Sequence, residues 1–407
     1  MTTKFSDFIN GYMRYIGVSE VPRQFHVLAC LSLLAASLTD KCWFARDDVG
    51  GKIYPNLYVF LIGPSGSGKE KAITTAARFA EALPQMGLFA STGVTKQFLI
   101  DHLTRKPSEM YPDEPVNILY LVTEELGMSI PSKELGKDLI KFMTGHYVKS
   151  GITMREGTRM HGQKRLHEPM LNWLAGTTDE WLTTSVEKDA IMGGFFARVL
   201  SVRGRRDGSL RYAEMWYPPD REELRRRLAM RLESYTQLEA VFVKTPESVQ
   251  YYKDWYESHE HRPSPTDPLL EATFNRTDEM VHRLAMLLTL SSLTDVPGYP
   301  CTIQVGIPQF KEAIDMWNCL TEGVPETLRR AAATRDSSEV EAVADIIRRA
   351  KLMDHSLLLK RAGNRGLNAD KVRRALAELQ DRGDIGPPTF EPVGQGKTRR
   401  TYTWTGG

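Results

Sequence analysis

Residues 57–69 constrain this chain more than any other stretch. Leu57-Tyr-Val-Phe-Leu-Ile62 is an apolar, β-branched and aromatic run, and it enters Gly63-Pro64-Ser65-Gly66-Ser67-Gly68-Lys69. A stretch of helix-forming composition, Lys71 to Leu83, follows. The order predicts strand, glycine-rich loop and helix. In such a loop, backbone N–H groups converge on phosphate oxygens and the helix N-terminus adds positive potential. Lys69 supplies a point charge for the terminal phosphates. The spacing G-x-x-x-x-G-K, in this context, therefore predicts a site for the β- and γ-phosphates of a nucleotide, expected to be ATP. The next residue is Glu70, where a Ser or Thr hydroxyl usually holds Mg²⁺. Its carboxylate could ligate Mg²⁺ directly or through water, since that ion takes oxygen ligands, or it could repel the phosphates. Thr74 and Thr75 lie about a turn further along the helix.

A second motif has the same logic. Asn117-Ile-Leu-Tyr-Leu-Val-Thr-Glu124-Glu125 is a buried strand ending in two acids. Beside a phosphate-loop strand, the first acid holds Mg²⁺ and the second polarises the attacking water. Glu124 and Glu125 are expected in those roles, with Glu124 standing where Asp is more usual. A third strand, Leu171-Asn-Trp-Leu-Ala-Gly-Thr177-Thr178, ends in small polar residues. Thr177 or Thr178 is expected to sense the γ-phosphate; the alternative is a plain strand-to-turn transition at Gly176. Asp189-Ala-Ile-Met-Gly-Gly-Phe-Phe-Ala-Arg198-Val-Leu follows. Its paired glycines permit a tight turn, and Arg198 is either an arginine finger for a neighbouring subunit or a structural ion pair. Arg276 and Arg283 stand on similar sides of a further helix with one apolar face: either one of them reaches the nucleotide from a lid, or the helix belongs to the core with its arginines facing solvent.

Composition adds bounds. A chain of 407 residues has room for about two to three domains. Net charge is only +2, so nucleic-acid contact must come from local patches. Cys30, Cys42, Cys301 and Cys319 form no C-x-x-C pair, which predicts free thiols in a reducing compartment and no metal site. The apolar run Val27 to Leu38 is too short to span a bilayer and reads as a buried helix. Met1-Thr2-Thr3-Lys4-Phe5 does not read as a signal peptide. The expectation is a cytoplasmic protein with no membrane segment.

Residues 5–40 read as helical, with a break at Pro22, and 41–56 as a loop-rich bridge. Residues 57–206 alternate short strands and helices, the pattern of an α/β fold with crossover connections. Residues 217–330 read as mostly helical and Ala331 to Ser338 as a linker. The expected division is a helical collar over 1–45, an ATPase core over 46–215, a helical lid over 216–332 and a C-terminal unit over 339–407.

Together these stretches resemble a family of phage, plasmid and mobile-element replication ATPases, many of them the helicase part of primase-helicases. The resemblance rests on Phe8 to Lys69, the Glu124-Glu125 strand end, the Gly-Gly-Phe-Phe-Ala-Arg198 turn and the Arg283-Leu-Ala helix. The last two are similar to the arginine-finger and lid-helix motifs of minichromosome-maintenance helicases, a group of AAA+ ring ATPases. The resemblance covers about residues 5–300. It implies an α/β fold with an AAA+ core, a homo-oligomeric ring with ATP and Mg²⁺ sites between subunits, and translocation on DNA. An ATP-dependent DNA helicase or translocase is thus expected, with replication proteins as further partners. The alternative is an ATP-gated initiator or helicase loader with little turnover; an ATPase subunit of a defence or transposition complex is a third possibility.

Two stretches are candidates for DNA. Tyr147 to Arg165 reads as two strands around a basic turn bearing Lys149, Arg155, Arg159, Lys164 and Arg165. In the resembled group a hairpin here points into the ring pore, where such cations would grip single-stranded phosphates without reading sequence. The C-terminal unit reads as three helices and a hairpin, the winged-helix order. Asn368 can cap its third helix, Ala369 to Asp381. Lys371, Arg373 and Arg374 on that helix, and Lys397, Arg399 and Arg400 on the hairpin, are candidates for duplex DNA. Ordinary solvated charges on an exposed hairpin, and a protein partner for the winged helix, are the competing readings.

Overall fold

Strands buried on both faces make the centre of the molecule. The computed structural model describes residues 7–46, 51–83, 88–90, 94–104, 118–129, 133–148, 153–158, 162–185, 194–206, 217–258, 268–295, 297–298, 300–322, 339–392 and 398–405. The chain divides into two units, Met1–Leu328 and Arg329–Gly407. The linker expected at 331–338 lies outside the described residues.

In chain order the strands of the first unit are β1 (Cys42–Ala45), β2 (Lys52–Ile53), β3 (Tyr58–Ile62), β4 (Leu88–Ala90), β5 (Ile118–Thr123), β6 (Thr153–Thr158), β7 (Gly162–His167), β8 (Met170–Thr177), β9 (Val199–Arg203), β10 (Ala240–Lys244) and β11 (Cys301–Val305). Five of them form a parallel sheet in the order β4-β5-β8-β3-β9. Every residue of β3 and β8 is buried, which is why both read as continuous apolar runs rather than alternating ones. Parallel neighbours need crossovers, and the helices Lys69–Glu81, Lys96–Leu103 and Lys133–Gly145 lie in those connections. Between β3 and β8 the aromatic rings of Tyr58, Phe60, Trp173 and Phe195 meet edge-on or tilted at 5.1–6.4 Å. Asn172, in mid-strand, accepts the Leu57 N–H at 2.9 Å and so fixes where β3 begins.

The helices Asp7–Ile16 and Arg23–Ser37 form as the sequence predicts. The second is buried along almost its whole length, packed against the phosphate-loop helix and β8. Among the described residues no helix is long and apolar enough to cross a membrane, and the four cysteines are free thiols.

A second sheet departs from expectation. Its order is β11-β10-β1-β2, with β1, β10 and β11 parallel and β2 antiparallel to β1. The segment expected to be a loop-rich bridge therefore contributes two strands, and the segment expected to be a helical lid contributes two more. The collar and the lid are one body, joined by main-chain hydrogen bonds and by a hydrophobic core shared with the central sheet. The helix Thr277–Ser292 lies at its centre. It is buried on nearly all sides, not on one face as expected.

In the second unit the helix 339–350 leads to β12 (Leu352–Asp354), then to the helices His355–Gly363 and Ala369–Asp381, then to β13 (Thr389–Pro392) and β14 (Thr398–Thr403). The strands form an antiparallel sheet in the order β12-β14-β13. Asp354 caps one helix through the N–H groups of Ser356 and Leu357 at 2.9 and 3.1 Å. Asn368 caps the next through Lys371 N–H at 3.0 Å, as its position predicts. Ile347, Met353, Leu358, Val372, Leu379 and Tyr402 belong to a hydrophobic core confined to this unit.

One buried acid in the first unit has a measurable consequence. Glu312, on the helix Ile307–Glu322, has both carboxylate oxygens buried with no hydrogen-bond partner. Burial, and then the nearby Asp315, push its carboxyl up to about 7. Between the ordinary carboxylate range and pH 7 the folded chain holds a proton that the unfolded chain has released. Stability is therefore highest below that window and falls as pH rises through it. Glu312→Gln should raise the melting temperature at pH 8 and leave it nearly unchanged near pH 4. The gain should be about 1 kcal/mol, discounted because the side chain is only half-buried. Equal melting temperatures of variant and parent at pH 8 would contradict this reading.

Candidate nucleotide site

The glycine-rich loop at residues 63–68 leaves the C-terminal end of β3, the edge of a parallel sheet where ligands usually bind. Gly63 N–H donates to Thr177 O of β8 at 3.1 Å, and Ser67 N–H closes a turn onto Pro64 O at 3.2 Å. Gly68 has φ +91° and stands at the N-cap of the helix Lys69–Glu81. A side chain there would be strained, and its Cβ would lie 2.5 Å from a Val21 methyl. At Gly63 a Cβ would lie 2.6 Å from Gly204 O and 2.8 Å from Ser67 Oγ. The main chain thus turns tightly, leaving Pro64, Ser65 and Gly66 at the solvent face.

Lys69 is buried and its ammonium donates to Gly63 O at 2.6 Å and Pro64 O at 3.0 Å. Burial lowers its pKa, while Glu125 and then Asp179 oppose that shift. Ser67 Oγ is buried with no partner, an unsatisfied donor inside the loop. Glu125 is half-buried; burial raises its pKa, against Lys69 and the Gly127 N–H. Of the two acids at the end of β5, Glu125 shares the electrostatic neighbourhood of Lys69, whereas Glu124 is exposed. Glu70 is exposed in the first helical turn. The hydroxyls of Thr74 and Thr75 donate to the carbonyls of Glu70 and Lys71 at 2.7 Å each, so both are engaged within the helix. Among the described residues no group of three or more His, Cys, Asp or Glu side chains converges on a protein-only metal site.

Thr177 is buried beside the loop, in register with Ile62. Thr178 accepts the Trp181 N–H at 3.2 Å, which caps the short helix Asp179–Ser185. On the other side of β3, Arg203 is in register with Ile62 and is ion-paired to Asp179. The sequence reading did not single out this pair. The available signal was a cation at a strand end, just before Gly204.

Arg198 occupies the opposite end of the sheet. It closes a 3₁₀ turn, Phe196–Arg198, immediately before β9, where Val199 pairs with Tyr58. From Val199 to Arg203 the strand runs about 13 Å away from it toward the phosphate loop. Its Nη1 donates to Gly194 O at 2.6 Å, and its Nε is buried without a partner. Burial, and then Arg276, lower its pKa. Both arginines line a pocket of about 870 Å³ together with Arg46, Tyr256, Asn275 and Glu279. Arg276 pairs with Glu279 at 3.0 Å and Arg46 with Asp278 at 3.5 Å. Arg276 therefore joins Arg198 and not the phosphate loop of its own chain.

Arg283 corrects its expectation more fully. It is buried, its Nε donates to Tyr54 O at 2.9 Å and its guanidinium lies over the Tyr147 ring at 4.3 Å. It fastens the central helix to the segment ahead of β3 and is not free to reach a nucleotide.

The hairpin expected before β8 is present as antiparallel β6 and β7, with Arg155 opposite Arg165 and Glu156 opposite Lys164. Lys164 and Arg165 lie in β7, not in the turn. Lys164 is tied to Asp101 at 2.7 Å, while Arg165 is exposed without a carboxylate partner among the described residues. Lys149, Arg159 and Lys397 lie outside the described residues. In the second unit Lys371 is held by Glu339 at 2.7 Å, Arg373 by Asp370 at 3.1 Å and Arg399 by Asp354 at 3.7 Å. Arg374 and Arg400 have no carboxylate partner among the described residues, and Arg400 stands over the rings of Tyr402 and Phe390 at 5.2 and 5.9 Å. Phe390 is 61% exposed, unusual for so large an apolar side chain.

Comparison of the chain with protein-family models gives no match, and comparison with curated proteins gives no relative.

Proposed function

We propose that the chain is a P-loop ATPase of the AAA+ ring type that moves on DNA. One observation carries this reading: the two groups of charges stand at opposite ends of the same sheet. Lys69, Glu125 and Thr177 gather at the end of β3, β5 and β8, while Arg198 and Arg276 open into a pocket at the far end. Arg198 is too far along β9 to serve the phosphate loop of its own chain. A second copy that set its phosphate loop against this pocket would complete the site. The strand order β4-β5-β8-β3-β9, with the phosphate loop leaving a central strand, supports the same assignment.

Each residue then has a defined task. The loop amides and Lys69 bind the phosphates, Lys69 exchanging its two carbonyl partners for phosphate oxygens. Glu125 orients the attacking water and takes its proton; the upward shift from burial makes it a better base than a free carboxylate. Arg198 of one copy stabilises charge developing on the nucleotide held by the next. The loop fits a nucleotide because Gly63 and Gly68 let the main chain turn tightly, Pro64, Ser65 and Gly66 stay open to solvent with nothing within 4 Å of a Cβ built at Gly66, and Ser67 keeps an unsatisfied hydroxyl inside the turn. Glu70, Glu124 and Ser67 are the residues to hold Mg²⁺, an ion that in such sites needs only one or two protein ligands beside the phosphates. When bound it neutralises phosphate charge.

For DNA, the second unit has helix, strand, helix, helix and hairpin in winged-helix order. Lys351, Lys360, Arg361, Arg374 and Arg400 have no carboxylate partner among the described residues, and all are exposed or face the aromatic hairpin. These cations, with Arg165 on β7, are the groups to touch backbone phosphates. The second reading, an ATP-gated initiator or loader with little turnover, is favoured by one observation. Glu70 replaces the usual hydroxyl, and Thr74 and Thr75 cannot substitute because the helix engages both.

Four measurements test the proposal. Lys69→Ala should weaken ATP binding by about 100-fold or more, about 3 kcal/mol; unchanged affinity by fluorescence titration would remove the nucleotide assignment. Glu125→Gln should keep that affinity and lower turnover by about 10²- to 10⁴-fold. Turnover near zero in the parent protein as well would favour the gated switch.

Arg198→Ala should bind ATP normally and hydrolyse it about 10³-fold more slowly. Mixed with Glu125→Gln, it should regain part of the activity at interfaces that combine one intact half-site from each variant. Absence of recovery in demonstrated mixed assemblies would make Arg198 structural.

For the second unit, Arg374→Ala with Arg400→Ala should reduce duplex binding and leave ATP turnover unchanged. Its salt dependence should flatten by about one unit of slope per lost phosphate contact. A slope identical to that of the parent protein would place the duplex elsewhere.

A further inference from the structure

We propose that Arg203 is a phosphate-contacting residue of the same chain's nucleotide site, held in reserve by Asp179. This inference rests on the nucleotide-site reading above and names a member of that site.

The register places it. β8 and β9 flank β3, and both Thr177 and Arg203 are level with Ile62, the last residue before the loop. Neighbouring strands are about 4.8 Å apart, so the chains carrying Asp179 and Arg203 are separated by about 10 Å, with β3 between them. Their ion pair therefore bridges across the end of β3, where the chain enters Gly63. The main chain on either side is fixed. Gly204 N–H donates to Ile62 O at 3.0 Å, Arg203 O accepts from Gln24 at 3.2 Å, and Gly63 N–H donates to Thr177 O at 3.1 Å. What can change is the side-chain pairing.

The charges alternate around the loop mouth. Lys69 feels both Glu125 and Asp179, so Asp179 is shared between the loop lysine and Arg203. A guanidinium has five donors in a fixed fork. Here Nη2 serves Asp179, and Nε is buried with no partner. The pair is partly open to solvent, with side chains 27% and 44% exposed, and such pairs hold only weakly. An arriving polyphosphate brings several negative charges beside Asp179. It offers Arg203 a bidentate partner that the single Asp179 contact does not supply. Exchange of Arg203 from carboxylate to phosphate relieves both the repulsion and the unsatisfied donor.

A purely structural pair and a reserve pair predict different signs. Binding of a fluorescent ATP analogue and of ADP is measured for the full chain and its variants, with melting temperatures as the folding control. Arg203→Ala should weaken binding of the ATP analogue by about tenfold, and Arg203→Gln should do the same if the alanine variant folds poorly. Asp179→Asn should tighten binding about threefold, because Arg203 is released and a like charge is removed. Combining Asp179→Asn with Arg203→Ala should abolish most of that gain. Arg203→Lys should recover part of the affinity through charge and fall short of the parent through loss of the fork. If both single variants weaken binding alike, or if neither alters it while Lys69→Ala abolishes it, Arg203 is a structural residue and the inference is wrong. If Lys69→Ala also leaves affinity unchanged, the nucleotide site itself is misassigned.

Discussion

The first unit depends on β3 being hydrogen-bonded on both sides. Its five residues are all buried, and its main chain is held by β8 on one flank and β9 on the other. That double pairing leaves β3 no freedom to slide, because a one-residue slip would turn every side chain to the other face. The glycine-rich loop is consequently delivered at a fixed height between two other strand ends. Level with Ile62 stand Thr177 to one side and Arg203 to the other.

The same strand pairing separates two electrostatic environments. At one end, acids and bases alternate within reach of Lys69. At the other, two arginines share a pocket; burial raises the cost of charging Arg198, and Arg276 adds to it. Clustered guanidiniums of this kind are stable only while they keep some access to solvent or to an anion. Glu279 satisfies Arg276 within the chain, whereas Arg198 makes its hydrogen bond to a neutral carbonyl, Gly194 O. Among the described residues Arg198 has no carboxylate partner, and the proposed ring assigns its anion to another subunit.

How much of this the sequence disclosed follows from the range of the interactions. The strand, tight loop and helix over residues 58–81 were legible because the spacing is local: seven consecutive residues, Gly63 to Lys69, specify the turn. Asn368 and the helix it caps were legible for the same reason. Strands β10 and β11 were not, since each has only five residues and becomes a strand by remote pairing, β10 with β1 and β11 with β10. Lys164 and Arg165 read as part of a basic turn, yet they lie in β7, where their pairing with β6 sets their place. Arg283 resembled a lid arginine, but its partners, Tyr54 O and the Tyr147 ring, come from segments that only the fold brings near. Arg203 carried no motif at all; its meaning comes from parallel register.

The second sheet also has a consequence for how the chain is made. Cys42 of β1 pairs with Ala240 of β10, and Arg23–Ser37 is buried in a core that includes Thr277–Ser292. A ribosome adding about 5–20 residues per second needs roughly 10–40 s to produce β10 after β1. For that interval a nearly continuous apolar helix and an unpaired strand edge are outside the exit tunnel without the partners that will cover them. The newborn N-terminal segment is thus a natural substrate for chaperones that hold apolar chain, and a vulnerable point for aggregation when synthesis is slowed. Completion of the C-terminal half of the first unit, rather than of the phosphate loop, is the event that closes its core.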